Sequence, residues 1–402
     1  MGGSDKEPYR KLYEEMVEAL INKKEEFPDI KIDLITDPIN RVYSGAKLSG
    51  FDDLEEKGIN TIETNLNPLR DSNPIYSSPW RVFVKFFGTE IEDGWIKNPF
   101  DEEGDVVGLR NWLKLLNFKA NHRKVALTDY GEDVTTLVTS ANPHNGSSAH
   151  SNVALEVTGD LWLDVYRNEL AVAKMSGSDL SWNDRFEDAV KKRGEYTFKD
   201  KEAGDLLKVG LITESKIKDF LLENIKELDS DDSLWMAMFY ISDRDTIKEL
   251  INAGKRGTKI RLILDSNKDA FGYEKNGIPN RQVAYELVKK GEENIEVRWY
   301  LTDGEQFHSK LVLLEKNERA VATLGSANLT RRNIDDYNLE SNLWIDMPID
   351  SSLHLKMSTF FNRIWNNENG NLYTEDFSVH KENIFWKNIV YRLQESLGLS
   401  TF

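Results

Sequence analysis

Two stretches of the chain share one pattern of apolar and polar positions. In "SLWMAMFYISDRDTIKELINAGKRGTKIRLILD" (233–265) an apolar run from Leu234 to Ile241 predicts a buried strand. Periodic apolar positions from Thr246 to Ala253 then predict a helix, ended at Gly254 or Gly257. Lys259 to Asp265, short and rich in Ile and Leu, predicts a second strand. "YRKLYEEMVEALINKKEEFPDIKIDLITD" (9–37) repeats the helix and the second strand, with "KIDLITD" at 31–37 against "KIRLILD" at 259–265. Nothing in the first half matches "SLWMAMFYISD". A parallel sheet without its opening strand exposes an edge or leaves a core groove open. The expectation is a natural chain that extends further at the N-terminus, supplying that strand and leaving room for a membrane anchor.

Strands alternating with helices in both halves predict an α/β fold. The polar stretch "RGEYTFKDKEAGD" (193–205) marks the boundary between two units, 1–200 and 201–402. The longest connection carries "NPIYSSPWRVFVKFFGTEIEDGW" (73–95). One reading makes it an amphipathic element packed on the domain. The other makes it a lipid-facing lip, with Trp80, Phe83, Phe86 and Phe87 at an interface and Arg81 and Lys85 meeting headgroups.

Composition narrows the chemistry. The chain has 402 residues, 39% hydrophobic, enough for a substantial core. No run approaches the ~18 continuous apolar residues of a membrane span, and "MGGSDKEPYRKLYEEM" lacks the apolar core of a signal peptide. As written, the chain reads as soluble. Its net charge of −17 argues against a general nucleic-acid binder, which usually shows a basic stripe. With no cysteine, disulfides, thiolate zinc sites and a cysteine nucleophile are all excluded.

The candidate chemistry lies in two short motifs. In "HSK" the alternation of a strand places His308 and Lys310 on one face, and in "HRK" it does so for His122 and Lys124. Each is followed, 16 residues after its lysine, by Ser-Ala-Asn: Ser140 and Asn142 in "VTSAN", Ser326 and Asn328 in "LGSAN". A histidine able to act as nucleophile or acid, a fixed cation and neutral hydrogen-bond donors suit a phosphate diester. A lone histidine on a strand is usually structural; two copies with matched intervals are not so easily dismissed.

These motifs resemble the phospholipase D superfamily, whose mark is H-x-K-x4-D followed by G-S-x-N, usually twice. The likeness takes in His122, Lys124, Asp129, Ser140 and Asn142 in the first copy. In the second it takes in His308, Lys310, Ser326 and Asn328, with Glu315 where the family has aspartate. The resemblance implies two pseudo-twofold α/β domains, each a mixed central sheet flanked by helices, with one active site at their interface and neither metal nor cofactor. It implies a phosphohistidine intermediate, with supporting roles for Asp129 and Glu315. By family habit His122 is the nucleophile and His308 the acid/base. Lys124 and Lys310 would balance the phosphoryl oxygens.

Downstream, Asn338 and Glu340 fit the family's histidine-orienting positions, which puts Glu340 behind His308. Equal offsets match Asn152 to Asn338 and Ala154 to Glu340, so His122 lacks a carboxylate unless Glu156 substitutes. Thr139 stands where Gly325 does in the second copy, predicting a stiffer turn. Arg331 and Arg332 are candidates for a second phosphate or an exposed structural pair. His144 and His150 either line the site or are loop histidines, and the polar loop 265–281 is expected to border it.

The family's scope leaves function open. One reading is a membrane-associated phospholipid enzyme resembling cardiolipin synthases or a phospholipase D hydrolase. Another is a nuclease cleaving DNA or RNA, and a third is a silent scaffold that keeps the motifs. The acidic balance and the aromatic 73–95 segment favour phospholipid as the partner.

Overall fold

The computed structural model describes residues 10–43, 45, 49–84, 94–98, 106–131, 133–195, 207–270, 273–274 and 276–397. The first half opens with α1 (Leu12–Glu26), β1 (Asp33–Thr36), α2 (Ser49–Glu56) and β2 (Asn60–Glu63). A long connection carrying α3 (Pro74–Pro79) and α4 (Leu109–Lys114) leads to β3 (Val125–Tyr130), β4 (Asp133–Thr139) and β5 (Ala154–Thr158). Helices α5 (Leu161–Met175) and α6 (Asn183–Glu195) close this half. The expected boundary at residue 200 falls outside the described residues.

The second half runs β6 (Lys208–Thr213), α7 (Ser215–Lys226), β7 (Ser233–Met238), α8 (Arg244–Arg256) and β8 (Lys259–Asp265). It continues through the short β9 (Asp269–Ala270) and β10 (Tyr273–Glu274), then α9 (Asn280–Lys290), β11 (Ile295–Tyr300), β12 (Lys310–Lys316) and β13 (Arg319–Gly325). It ends with α10 (Arg331–Ile334), β14 (Ser341–Pro348), α11 (Ser352–Trp365), β15 (Thr374–Asp376) and α12 (Phe385–Leu397).

Eight of these strands form one mixed sheet in the order β15-β11-β8-β7-β12-β13-β14-β6. β7, β8 and β11 pair in parallel, and β12, β13, β14 and β6 pair antiparallel. Helix α8 starts where the Asp243 carboxylate accepts the N–H of Thr246 and stops at Gly257, whose φ of 103° terminates the last turn without a Cβ penalty. The predicted opening strand is shorter than its apolar run: Phe239 to Ile241 leave the sheet and turn towards the site.

Both faces of this sheet are buried. Strand alternation sends Val312 and Leu314 into the core under α7 and α8, and Leu311 and Leu313 into the core under α11. Each fully buried aliphatic side chain contributes about 1.5–3 kcal/mol relative to exposure.

The first half differs. Its strands form two separate sheets, β1-β2 in parallel and β3-β4-β5 antiparallel. Their equivalents β8 and β12 flank β7, and among the described residues no strand bridges β1 to β3. Ala126 and Thr128 are exposed, where Val312 and Leu314 in the second half are buried at 1% and 0%. The reason is cover: Ile217, Leu221 and Ile225 of α7 lie over that face in the second half, and the described first half offers no such helix. The opposite face packs on α5 through Leu161, Leu163 and Val165.

The two halves share a core. Leu343 of β14 packs with Val138, Leu161 and Val165. The backbone of His122 donates to the carbonyl of Leu339 at 2.9 Å, and Leu339 donates to Ala120 at 3.0 Å. This seam aligns the start of β14 with the segment entering β3.

Candidate active site

His122 and His308 each precede a strand, and each lysine turns back towards its histidine. Lys124 Nζ donates to the His122 carbonyl at 2.7 Å and Lys310 Nζ to the His308 carbonyl at 3.0 Å. Both pairs lie at the mouth of a strand, β3 beginning at Val125 and β12 at Lys310. The pairs from the two halves lie close enough that the charges of Lys124 and His122 act on His308, and that of Lys310 acts on His122.

Each histidine is held by the opposite half. His122 Nδ1 lies 3.0 Å from both oxygens of Glu340, and His308 Nδ1 lies 3.1 Å from Asn152 Oδ1. With Nδ1–H donating, Nε2 is the nitrogen left to react in both rings. Glu340 is completely buried and also accepts from Ser326 Oγ and Asn333 Nδ2. Asn152 Oδ1 accepts in addition from Ser140 Oγ at 3.0 Å. Ser140 and Ser326 thus brace the histidine-orienting side chains.

This arrangement corrects two expectations. Glu340 stands behind His122, not His308, because the seam between residues 120–122 and 338–340 brings it across the interface. The structural equivalent of Glu340 is Asn152, not Ala154. Ser326 N–H bonds the Ser341 carbonyl and Ser140 N–H bonds that of Val153, so the second copy carries two extra residues before its last strand. Equal counting from Asn142 and Asn328 overran that insertion. Glu156 lies within β5, paired to Leu137. Asn338 accepts from the Ala120 N–H at 3.1 Å, bracing the approach to His122.

Burial dominates the electrostatics. It pushes His122 below the usual imidazole range, with Glu340 pulling the other way, and pushes His308 well below it, reinforced by Lys310 and Lys124. Lys124 is lowered to about 8 by burial, opposed by Glu340 and Asp37, and Lys310 is held well below its ordinary value by burial and Lys124. Burial alone would raise Glu340; His122, Lys124 and Ser326 outweigh it and hold its carboxyl below the ordinary range.

The other candidates fall around this centre or away from it. The Phe239 ring lies 5.0 Å from the His308 ring, tilted to it, and under Lys310 Nζ at 5.2 Å; the sequence marked it only as strand. Loop 265–281 borders the site through Phe239, whose carbonyl accepts from Asn267 and Asn280. His150 lies 5.8 Å from the His308 ring and is pushed down to about 4 by burial and Lys310, whereas His144 sits beside Ser147 in its own loop. Asn328 is buried, and its Oδ1 has no partner among the described residues.

Asp129 and Glu315 lie five residues beyond their lysines, about 17 Å along the strand at ~3.3 Å per residue. Asp129 pairs with Arg185 of α6, and Glu315 binds His354 Nε2 at 2.7 Å and Ser233 Oγ at 2.5 Å. They tie helices and strands together. Arg331 is engaged by Tyr337 and the α12 carbonyls, and Arg332 stacks on Phe118. Thr139 hydrogen-bonds the Val153 carbonyl and accepts the Ala141 N–H, so its side chain closes the turn that Gly325 leaves open. Arg81 pairs with Asp71, Trp80 is nearly buried and Phe83 is exposed; Lys85, Phe86 and Phe87 lie outside the described residues. Among the described residues no group of three or more His, Asp or Glu could hold a metal ion.

A two-halved α/β fold thus joins two histidine–lysine pairs across one seam. Residues 221–365 match the family described as cardiolipin synthase, PLD-like domain. No curated protein matches the chain. Among solved structures it is similar to phosphatidylserine synthase of Haemophilus influenzae Rd KW20, at 11% identity and TM-score 0.58, covering 96% of this chain and 84% of that one. It is also similar to Nuc of Salmonella typhimurium, titled a phospholipase D family member, at 19% identity and TM-score 0.34, covering 42% of this chain and 98% of that one. The family likeness is thus carried by residues 221–365, and over the whole chain the likeness to phosphatidylserine synthase is one of fold.

Proposed function

We propose that this protein cleaves or transfers the headgroup phosphodiester of a phospholipid through a phosphohistidine. The carrying observation is the unequal support of the two histidines. When His122 Nε2 attacks phosphorus, the ring gains positive charge, and the Glu340 carboxylate at Nδ1 stabilises it. The bond from phosphorus to the leaving alcohol breaks as His308 Nε2–H gives that oxygen its proton. His308, held by the neutral Asn152, then takes a proton from water or an incoming hydroxyl, whose oxygen displaces His122 from phosphorus. Lys124 and Lys310 balance the phosphoryl oxygens throughout. Substrate anion in the site raises the proton affinity that burial depresses in His308.

Three features favour lipid over nucleic acid. The net charge is −17. The matched family is described as cardiolipin synthase. The connection that enters β3 exposes Ile75 at 67%, Phe83 at 68% and Trp95 at 70%, apolar surface suited to a lipid interface. No described helix is long and apolar enough to cross a membrane, so membrane association would rest on such surface contacts or on an anchor outside the described residues. The test is a panel of phosphatidylglycerol, phosphatidylcholine and single-stranded DNA, with wild type, His122→Ala and His308→Ala. Lipid turnover lost in both variants, with 32P trapped on His122, is the expected result. Cleavage of DNA and no lipid overturns the substrate class, and activity surviving both substitutions overturns the mechanism.

A further inference from the structure

Each half carries an aspartate at the end of a matched strand, and neither belongs to the histidine–lysine motifs. Asp37 closes "KIDLITD" after β1 and Asp265 closes "KIRLILD" at the end of β8. One oxygen of each turns back on its own chain. Asp37 Oδ1 accepts the N–H of Ile39 at 2.7 Å, and Asp265 Oδ1 accepts that of Asn267 at 2.6 Å, two residues on in both cases.

The other oxygen reaches a distant segment. Asp37 Oδ2 accepts the N–H of Asn121 at 2.5 Å, and Asp265 Oδ2 accepts the N–H of Phe307 at 2.8 Å. Asn121 and Phe307 are the residues immediately before His122 and His308. The intervals in sequence differ widely, because the first half inserts the long connection 64–124 where the second has only 301–309. The same bond is nonetheless made in both halves. A shared local sequence does not require this, since the acceptor and its distant donor come from segments of unrelated length.

Asp37 acts on Lys124 and Asp265 on Lys310, each favouring the charged ammonium. The other charged groups acting on Lys124 and Lys310 are Glu340, which also favours the cation, and, for Lys310, Lys124, which opposes it. Burial raises the Asp37 carboxyl itself to about 7, so above that pH a carboxylate at this place does two things. It fixes the backbone from which the histidine projects, and it offsets part of the desolvation that drives the neighbouring lysine towards its neutral form.

We propose that Asp37 and Asp265 are a matched pair of positioning residues, each setting the backbone before its histidine. The proposal rests on the phosphodiester reading of the site. The test compares wild type, Asp37→Asn and Asp265→Asn on bis(p-nitrophenyl) phosphate, measuring kcat/KM against pH together with thermal unfolding. Asparagine keeps one acceptor oxygen, but its amide group meets an N–H donor and its charge is gone.

The expected result is a fall of about tenfold in kcat/KM at the optimum, the worth of one charge-assisted bond, with the alkaline limb moved to lower pH as the lysine releases its proton more readily. A purely structural role lowers the folded fraction and leaves the limb in place; that outcome in both variants overturns the proposal. Should Asp265→Asn not fold, Asp37→Asn, at the less buried position, decides alone. His122→Ala and His308→Ala run beside them separate the two failures. If those retain the rate, the reaction assignment fails; if they abolish it while the aspartate variants keep the wild-type limb, only the aspartate proposal fails.

Discussion

Glu340→Gln removes one charge from the most buried carboxylate of the site and changes almost nothing in shape. In the native arrangement Glu340 is 0% exposed, accepts from Ser326 and Asn333, and meets His122 Nδ1 at 3.0 Å through both oxygens. A charge-assisted hydrogen bond contributes about 1.5–3 kcal/mol, and a tenfold change in rate corresponds to about 1.4 kcal/mol. If that stabilisation is present chiefly when the His122 ring is positive, kcat falls by about 10- to 150-fold.

The pH profile gives an independent sign. Burial lowers the pKa of His122 and Glu340 raises it; with Glu340 neutralised, burial, Lys124 and Lys310 all act downward. His122 must be neutral to attack, so the acid limb of kcat/KM moves to lower pH in the variant even as the plateau drops. A continuous assay on a chromogenic diester, from pH 4 to 9, reads both. A variant with an unmoved acid limb and a plateau within about twofold of wild type, well inside the 1.5 kcal/mol floor, would refute the role given to Glu340.

Two further outcomes follow from the geometry. The alkaline limb of kcat/KM is expected no higher than about pH 8, because burial lowers Lys124 to about 8 and Lys310 well below its ordinary value, and the cation is the form that meets phosphate; activity is lost as pH rises through that range. Lys124→Arg keeps its charge at every accessible pH, so the limb that remains should be that of Lys310, at the cost of a poorer fit. Glu315→Ala severs the bonds to His354 and Ser233 far from the histidines. Urea unfolding should show a loss of about 1–3 kcal/mol, the usual penalty for stranding buried partners, with kcat per folded molecule unchanged; a drop in kcat would assign Glu315 to the site.

Much of the site is legible in the chain. Strand alternation predicted one face for each histidine and its lysine, and matched intervals to Ser-Ala-Asn joined two separate motifs into one hypothesis about phosphate. Fold class followed from strands alternating with helices, and the helix of the second half lay over α8 because Asp243 and Gly257 mark its ends locally. Such features depend on neighbours within a turn or two, which a linear reading contains.

The partners of the histidines are another matter. Glu340 and Asn152 each serve the histidine of the opposite half, and two extra residues before β14 shift the correspondence that equal spacing implied. Asp37 and Asp265 reach the residues before His122 and His308 over unequal stretches of chain. The sequence by itself determined the two matched motifs and the elements around them, because strand and helix periods are local. Only the tertiary structure decided which carboxylate stands behind which imidazole, because two backbones must first be packed edge to edge before a buried side chain can choose its partner.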